Sequence, residues 1–156
     1  MVDISREKLQ LARQLGAGHT INARETDQVV ETIREISGGG VQLSIDALGS
    51  TETCVNSILG LAKRGRHIQI GLMTAEHRLP AIPMGVIIAH ELEILGSHGM
   101  QAHAYPEMWA LITSGRIRPK ELLGRTIGLK EAARALMEMD QHDQTGVTVI
   151  DPLKEN

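Results

Sequence analysis

The chain has 156 residues, 42% of them apolar and 22% charged, which is the composition of a folded globular domain rather than a disordered segment. The net charge is -3 with the signs interspersed, so there is no basic run that would neutralise a nucleic-acid backbone or an anionic lipid surface. With one Trp, one Tyr and no Phe, the chain also has few aromatic rings for stacking on bases. Composition therefore excludes nucleic acid and membrane from the expected partners.

A single cysteine, Cys54, excludes an internal disulfide and fits a reducing compartment. The longest apolar stretch is too short to cross a bilayer, and no apolar signal region follows Met1. We therefore expect a cytoplasmic protein.

Short apolar runs alternate with helical patterns over the first 118 residues. Strands are predicted at residues 2–4, 19–22, 41–48, 66–72 and 92–97, of which 41–48 is expected to be buried. The predicted helix caps are Ser5, Thr26 or Asp27, and Ser50, and the predicted helix ends are glycines at positions 16, 38–40 and 65. Further helices are predicted at residues 86–90 and 105–114. This alternation predicts right-handed βαβ units and a mostly parallel sheet.

The pattern changes after Pro119. A strand at residues 125–129, a helix at 130–139 and a strand at 147–151 are predicted there. These elements form a small βαβ addition, expected to pack beside the main sheet rather than within it.

Small or acidic residues end the predicted strands. Ligands of open parallel sheets bind beyond the carboxyl ends of the strands, where this chain has Asp3, Gly49, Gly71 and Gly96-Ser97. A strand-end Asp can accept hydrogen bonds from both hydroxyls of a ribose. Glycine lets the backbone approach a flat ring because it has no side chain. Each residue alone is more often an ordinary turn residue, but the series favours a nucleotide site.

Several segments resemble the nucleotide-binding domain of zinc-type, medium-chain alcohol dehydrogenases. These are VDISREKLQLARQLGAGHTIN, SIDALGS, RHIQIGL and LEILGSHGM, followed by LLGRTIGLKEAARALMEM and GVTVID. The resemblance implies an α/β fold: an incomplete Rossmann-like parallel sheet flanked by helices, without the first strand and glycine-rich turn. It also implies a partial NAD-binding domain at residues 1–118 and a segment, 119–156, that packs with the catalytic domain in full-length relatives.

The resemblance further implies a set of cofactor-binding residues. Asp3 would bind the adenosine ribose with Lys8 nearby, and its charge would favour NAD over NADP because it repels a 2′-phosphate. Gly49 would border the adenine side. The nicotinamide half would be lined by Gly71, Leu72, Gly96 and Ser97.

Two departures from the family pattern weaken the expected cofactor binding. The G-x-G-x-x-G turn that cradles the pyrophosphate belongs about twenty residues before Asp3, and Gly16-Ala17-Gly18 is not that turn because it follows a helix. The position that matches a pyrophosphate-binding Arg of some relatives holds Val147. We therefore expect weak NAD binding or none.

Zinc is expected in full-length relatives only. The family uses Cys and His ligands for a catalytic zinc and a cysteine cluster for a structural zinc, and a chain with one Cys supplies neither. No catalytic residue and no metal ligand is therefore assigned to this chain.

Two hypotheses of function remain open at this point. The first is the cofactor-domain part of a zinc- and NAD-dependent dehydrogenase of alcohols or aldehydes, inactive alone. The second is a free-standing, non-catalytic nucleotide-binding or interaction module. For either, the resemblance implies a homo-oligomer joined through the edge strand at residues 92–97.

The strand order of the family raises a further expectation. In the order 3-2-1-4-5-6 the first strand is central, and without it two half-sheets with unpaired inner edges remain. We expect the chain either to pair strands that are not neighbours in the family or to borrow a strand from another chain.

Overall fold

The computed structural model describes residues 1–139 and 145–154. The chain divides into two compact units, Met1–Gly99 and Met100–Asn156. The domain boundary predicted after residue 118 stays a prediction, because a compact unit and a functional domain are different divisions of a chain.

The first unit begins with a two-stranded parallel sheet. Its elements are β1 (Val2–Asp3), α1 (Arg6–Gln14), β2 (Ile21–Asn22) and α2 (Val29–Ser37). Val2 lies opposite Ile21, and helix α1 buries Leu9 and Ala12.

The remainder of the first unit forms a three-stranded parallel sheet in the order β3-β4-β5. Its elements are β3 (Val41–Asp46), α3 (Thr51–Leu59), β4 (Leu61–Gln69), α4 (Met84–His90) and β5 (Glu93–Gly96). Among the described residues, no strand of this sheet pairs with β1 or β2. The two predicted half-sheets are therefore present, and the gap is not closed by new pairing. Borrowing of a strand from another chain stays a prediction.

Two of the predicted helix caps are confirmed. The Ser5 hydroxyl accepts from the Lys8 amide at 3.3 Å, and the Ser50 hydroxyl accepts from the Thr53 amide at 3.1 Å. Each bond satisfies a first-turn amide that has no partner within its helix.

The predicted cap of α2 is wrong. The helix starts after Gln28, which makes no side-chain capping bond. The Thr26 hydroxyl instead accepts from the Gln28 amide at 3.0 Å, so Thr26 forms a local turn before the helix. The predicted end of α2 is confirmed, because Gly38 takes a left-handed conformation as its C-cap.

The predicted end of α3 at Gly65 is also wrong. The helix ends at Leu59, and Gly60 follows as its cap. Leu61 is fully buried and pairs with Val41, and the next partners are Leu43 and Arg66, so strand β4 is irregular between Leu61 and Arg66. Either glycine could end a helix, and the pairing of Leu61 selects the earlier one.

Strand β3 is not buried as predicted. Of its six residues only Asp46 is buried, whereas Leu43 is 51% and Ile45 is 52% exposed. Partnered residues of parallel strands point to the same face, so these two share a face with Ile68 and Leu95 and with the ion pair between Arg66 and Glu93. We call this set the open face of the sheet.

The second unit contains the predicted C-terminal βαβ addition. Strands β6 (Leu123–Ile127) and β7 (Val147–Ile150) pair in parallel and are connected through α6 (Leu129–Met137). Helix α5 (Tyr105–Thr113) precedes them. None of the helices in the described ranges is long and apolar enough to span a membrane.

Replacing Ser50 by Ala should lower the free energy of unfolding by about 1 kcal/mol, because it leaves the Thr53 amide without its capping acceptor. Urea unfolding followed by circular dichroism measures this change. Ser114→Ala is the matched control, since this exposed serine follows the end of α5 and its hydroxyl donates to a helix carbonyl. An equal loss in both variants would contradict the capping role.

Candidate functional site

The glycines predicted at strand ends lie along one edge of the β3-β4-β5 sheet. Asp46, Gln69 and Gly96 are register partners, and they end β3, β4 and β5. Gly49 and Gly71 follow within three residues, so all three glycines are placed at the carboxyl edge, where parallel sheets bind ligands. Ser97 and Leu72 are the next residues along the chain, and Leu72 is 67% exposed.

The turns after β3 and β4 are in direct backbone contact. A Cβ added to Gly71 would lie 2.3 Å from the Gly49 nitrogen, a separation that real Cβ atoms do not tolerate. At Gly49 an added Cβ would lie within 3 Å of Leu72 backbone atoms, and φ is +86°. Both positions therefore require glycine for packing, whatever ligand they approach.

Gly96 is different from the other two glycines. A Cβ at this position would meet no atom within 4 Å, and φ is not in the left-handed region. The space beside Gly96 is therefore open at the carboxyl edge of the sheet, and packing within the chain does not explain the absence of a side chain there.

Asp3 ends β1 in the other sheet of the first unit, and Lys8 lies in helix α1. The half-buried Asp3 carboxylate accepts from the Ser5 amide at 2.8 Å, which fixes it at the start of α1. The Lys8 amide donates to the Ser5 hydroxyl in the same turn. Hydrogen bonds from its backbone and from Ser5 lower the pKa of Glu7 below its ordinary value, so this turn carries negative charge near the helix amino terminus.

Four polar residues beside the glycine turns were missed by the sequence analysis: Ser44, Asp46, His67 and Gln69. The Asp46 carboxylate accepts from the Leu48 amide at 3.0 Å, from the Gly49 amide at 3.3 Å and from the Gln69 side-chain amide at 2.8 Å. The signal was the alternation Ser-x-Asp in β3 and His-x-Gln in β4, which places all four on one face.

Helix α3 covers the face that carries these polar residues. Its Cys54 is buried, and burial, followed by the nearby charge of Asp46, raises the pKa of the thiol. A raised pKa keeps the thiol protonated and unreactive at neutral pH, so Cys54 acts as a small core residue.

A surface groove of about 350 Å³ lies apart from the glycine edge. It is lined by residues of α1, β2 and the following turn: Arg6, Leu9, Gln10, Arg13, Thr20, Asn22 and Glu25. Arg6 pairs with Glu25 at 2.8 Å, and Arg13 donates to the Thr20 hydroxyl. Both arginines thus make a side-chain contact within the groove, through their Nε atoms.

The described part of the chain contains no group of three or more His, Cys, Asp or Glu residues that could hold a metal ion. The candidate site therefore consists of the carboxyl edge of the β3-β4-β5 sheet, the Asp3 carboxylate and the buried polar residues beside the glycine turns.

Gly71→Ala should destabilise the fold by about 1–3 kcal/mol, because the new methyl group meets backbone that must shift. Gly96→Ala is the matched control, which should change the free energy of unfolding by less than about 0.5 kcal/mol. Thermal and urea unfolding of both variants measure the difference. Equal stability of the two variants would show that the Gly49–Gly71 contact does not restrict side-chain size.

The comparisons with known proteins agree with this geometry. Residues 1–114 match the family model described as zinc-binding dehydrogenase. A curated relative, the NAD-dependent alcohol dehydrogenase of Sulfurisphaera tokodaii, is 28% identical over 151 residues, covering 97% of this chain and 42% of the relative. D-arabitol-phosphate dehydrogenase of Enterococcus avium is 26% identical over 143 residues, with 91% and 40% covered.

Solved structures show the same fold over nearly the whole chain. Benzyl alcohol dehydrogenase from Acinetobacter calcoaceticus matches with a TM-score of 0.84 and 26% identity, covering 96% of this chain and 41% of that one. The alcohol dehydrogenase from Aeropyrum pernix matches with a TM-score of 0.81 and 28% identity, covering 97% and 42%. The predicted Rossmann-like α/β fold is thereby confirmed.

The chain spans about two-fifths of the length of the relatives it matches. Since the family model covers residues 1–114 of 156, this chain belongs to the zinc-binding dehydrogenase family, the zinc-type, medium-chain alcohol dehydrogenases that its sequence resembles.

Proposed function

We propose that this chain is the cofactor-binding part of a zinc- and NAD-dependent alcohol dehydrogenase, in which a hydride passes between an alcohol and NAD. The observation that carries the proposal is the carboxyl edge of the β3-β4-β5 sheet. The Gly49 and Gly71 turns pack backbone to backbone there, and the space beside Gly96 is open. Such an edge suits a flat ring, and a matched relative is named as NAD-dependent.

The cofactor-binding residues are those predicted from the sequence. The Asp3 carboxylate accepts hydrogen bonds from the ribose hydroxyls, and Lys8 lies nearby. The negative charge of Asp3 disfavours the 2′-phosphate of NADP. Gly49 borders the adenine side. The nicotinamide half contacts Gly71, Leu72, Gly96 and Ser97.

Zinc does not fit the described residues of this chain, because they contain no set of donors that could hold it. In the proposed enzyme zinc polarises the alcohol oxygen when bound, and its ligands belong to another part of the protein. The role of this chain is to bind and orient the cofactor. Alone it is expected to bind NAD weakly and not to oxidise alcohols.

The open face of the sheet supports the proposal that this unit works against further protein. Leu43 and Ile45 are half exposed there, and Leu95 is 43% exposed. Ile45, Ile68 and Leu95 are neighbours across the three strands, and apolar side chains that adjoin at a surface mark an interaction site. The same face would serve a non-catalytic interaction module, which is the second candidate.

The proposed enzyme is cytoplasmic, and joins copies through the edge strand at residues 92–97.

Asp3→Asn should reduce the preference for NAD over NADP by about tenfold, because it removes the charge that repels a 2′-phosphate. The Asn oxygen can still accept from the Ser5 amide, so the turn is retained. Calorimetric titration of the purified chain with NAD and with NADP measures the preference.

Asp27→Asn is the matched control for the Asp3 variant, since Asp27 is exposed and precedes α2. It should leave both affinities unchanged. Unchanged preference in Asp3→Asn would place Asp3 outside the site. A wild-type chain that bound neither nucleotide would instead favour the interaction module.

A further inference from the structure

The buried polar residues form a compact block between β3 and β4. Ser44 lies opposite His67, and Asp46 lies opposite Gln69, so the four side chains stand two by two on the face that α3 covers. His67 is fully buried and Asp46 is 3% exposed. Burying such groups is unfavourable unless hydrogen bonds compensate for the lost water. The bonds that they make therefore determine whether the block is tolerated.

The two acceptors beside the Gln69 side-chain amide determine its orientation. The Gln69 side-chain nitrogen lies 2.8 Å from an Asp46 carboxylate oxygen and 2.9 Å from the Gly71 carbonyl oxygen. Both of these are acceptors, so the amide NH₂ group must face them. The Gln69 side-chain oxygen is consequently directed towards His67.

The arrangement of Gln69 fixes the tautomer of His67. Its Nε2 lies 3.2 Å from the Gln69 oxygen and must donate, so the neutral ring carries its proton on Nε2. Nδ1 is then an acceptor, and the Ser44 hydroxyl at 3.1 Å donates to it. The donors thus follow one direction, from Ser44 through His67 and Gln69 to the Asp46 carboxylate.

The far end of this chain of bonds holds both glycine turns. Asp46 accepts from the Gly49 amide, and Gln69 donates at once to Asp46 and to the Gly71 carbonyl. One side-chain amide therefore connects the turn after β3 with the turn after β4. These are the two turns whose backbones are in contact.

We propose that Asp46, Gln69 and His67 are positioning residues: they hold the Gly49 and Gly71 turns in one arrangement, in which the cofactor contacts them. The ligand in this statement rests on the proposed function, whereas the arrangement of the turns does not. A block that served stability alone could be replaced by apolar side chains of similar volume, often without loss. Directional hydrogen bonds instead select one orientation of each turn.

Reversal of one donor–acceptor pair tests the proposal. Asp46→Asn places an NH₂ group against that of Gln69, and Gln69→Glu places a carboxylate against that of Asp46. In the double variant the new side-chain amide at position 46 donates to the new carboxylate at position 69, and this carboxylate still accepts from His67. The carboxylate cannot donate to the Gly71 carbonyl, so the double variant restores the bond between positions 46 and 69 but not the bond to the turn after β4. Asp27→Asn and Gln42→Glu are matched controls, because they make the same changes at exposed positions.

Two quantities are measured well below the unfolding temperature of each variant. The first is the set of amide ¹H–¹⁵N resonances of the turns, at Leu48, Gly49, Gly71 and Leu72. The second is the dissociation constant of NAD by calorimetry. Each single variant should shift these resonances and weaken NAD binding by about tenfold. The double variant should recover the Leu48 and Gly49 resonances but not those of Gly71 and Leu72, because only the bond between positions 46 and 69 is restored. The controls should change neither.

The outcomes separate the proposal from its alternatives. Single variants that unfold at lower temperature but keep wild-type turn resonances and NAD affinity would overturn it, leaving a structural role. A double variant whose Leu48 and Gly49 resonances are no closer to the wild type than those of Asp46→Asn would also overturn it. If the wild-type chain binds no NAD, the proposed function fails for this chain, and the turn resonances alone decide the positioning role.

A measurement on the wild-type chain needs no variant. Imidazole ¹⁵N shifts of the neutral His67 ring should show the proton on Nε2 and none on Nδ1. The opposite tautomer would contradict the direction of donors from which the role of Gln69 follows.

Discussion

The backbone contact between the turns at Gly49 and Gly71 is the constraint on which the carboxyl edge of the main sheet depends. A side chain at either position would separate the two turns, because the nearest atoms are backbone and cannot rotate away. Asp46 and Gln69 also form hydrogen bonds with backbone groups of the same turns, the Gly49 amide and the Gly71 carbonyl. The backbone packing of the two turns and the hydrogen bonds from Asp46 and Gln69 therefore both restrict the edge that the proposed cofactor contacts.

Local chemistry made much of the fold predictable. Ser5 and Ser50 cap helices because their hydroxyls accept from first-turn amides that lack partners within the helix. Gly38 ends α2 because glycine takes a left-handed backbone conformation at little energetic cost. The end of α3 was not predictable in this way. Gly60 and Gly65 are equivalent locally, and only the pairing of Leu61 with Val41 from another segment distinguishes them.

The sequence predicted the glycines of the candidate site but not the buried polar residues Ser44, Asp46, His67 and Gln69 beside them. Alternation in β3 separates Leu43 and Ile45 from Ser44 and Asp46, and periodicity alone shows two faces without showing which one is covered. The ordinary expectation buries the apolar face. Helix α3 covers the polar face instead, so Asp46 and His67 are buried while Leu43 and Ile45 are open.

This inversion links the energetics of the first unit to its proposed role. A polar face can be covered only where its groups satisfy one another, which the chain of bonds from Ser44 to Asp46 does. An apolar face left open gains its burial free energy only when other protein packs on it. The polar block can therefore position the glycine turns within this unit, whereas the open face would add to the stability of the sheet only through a contact with further protein.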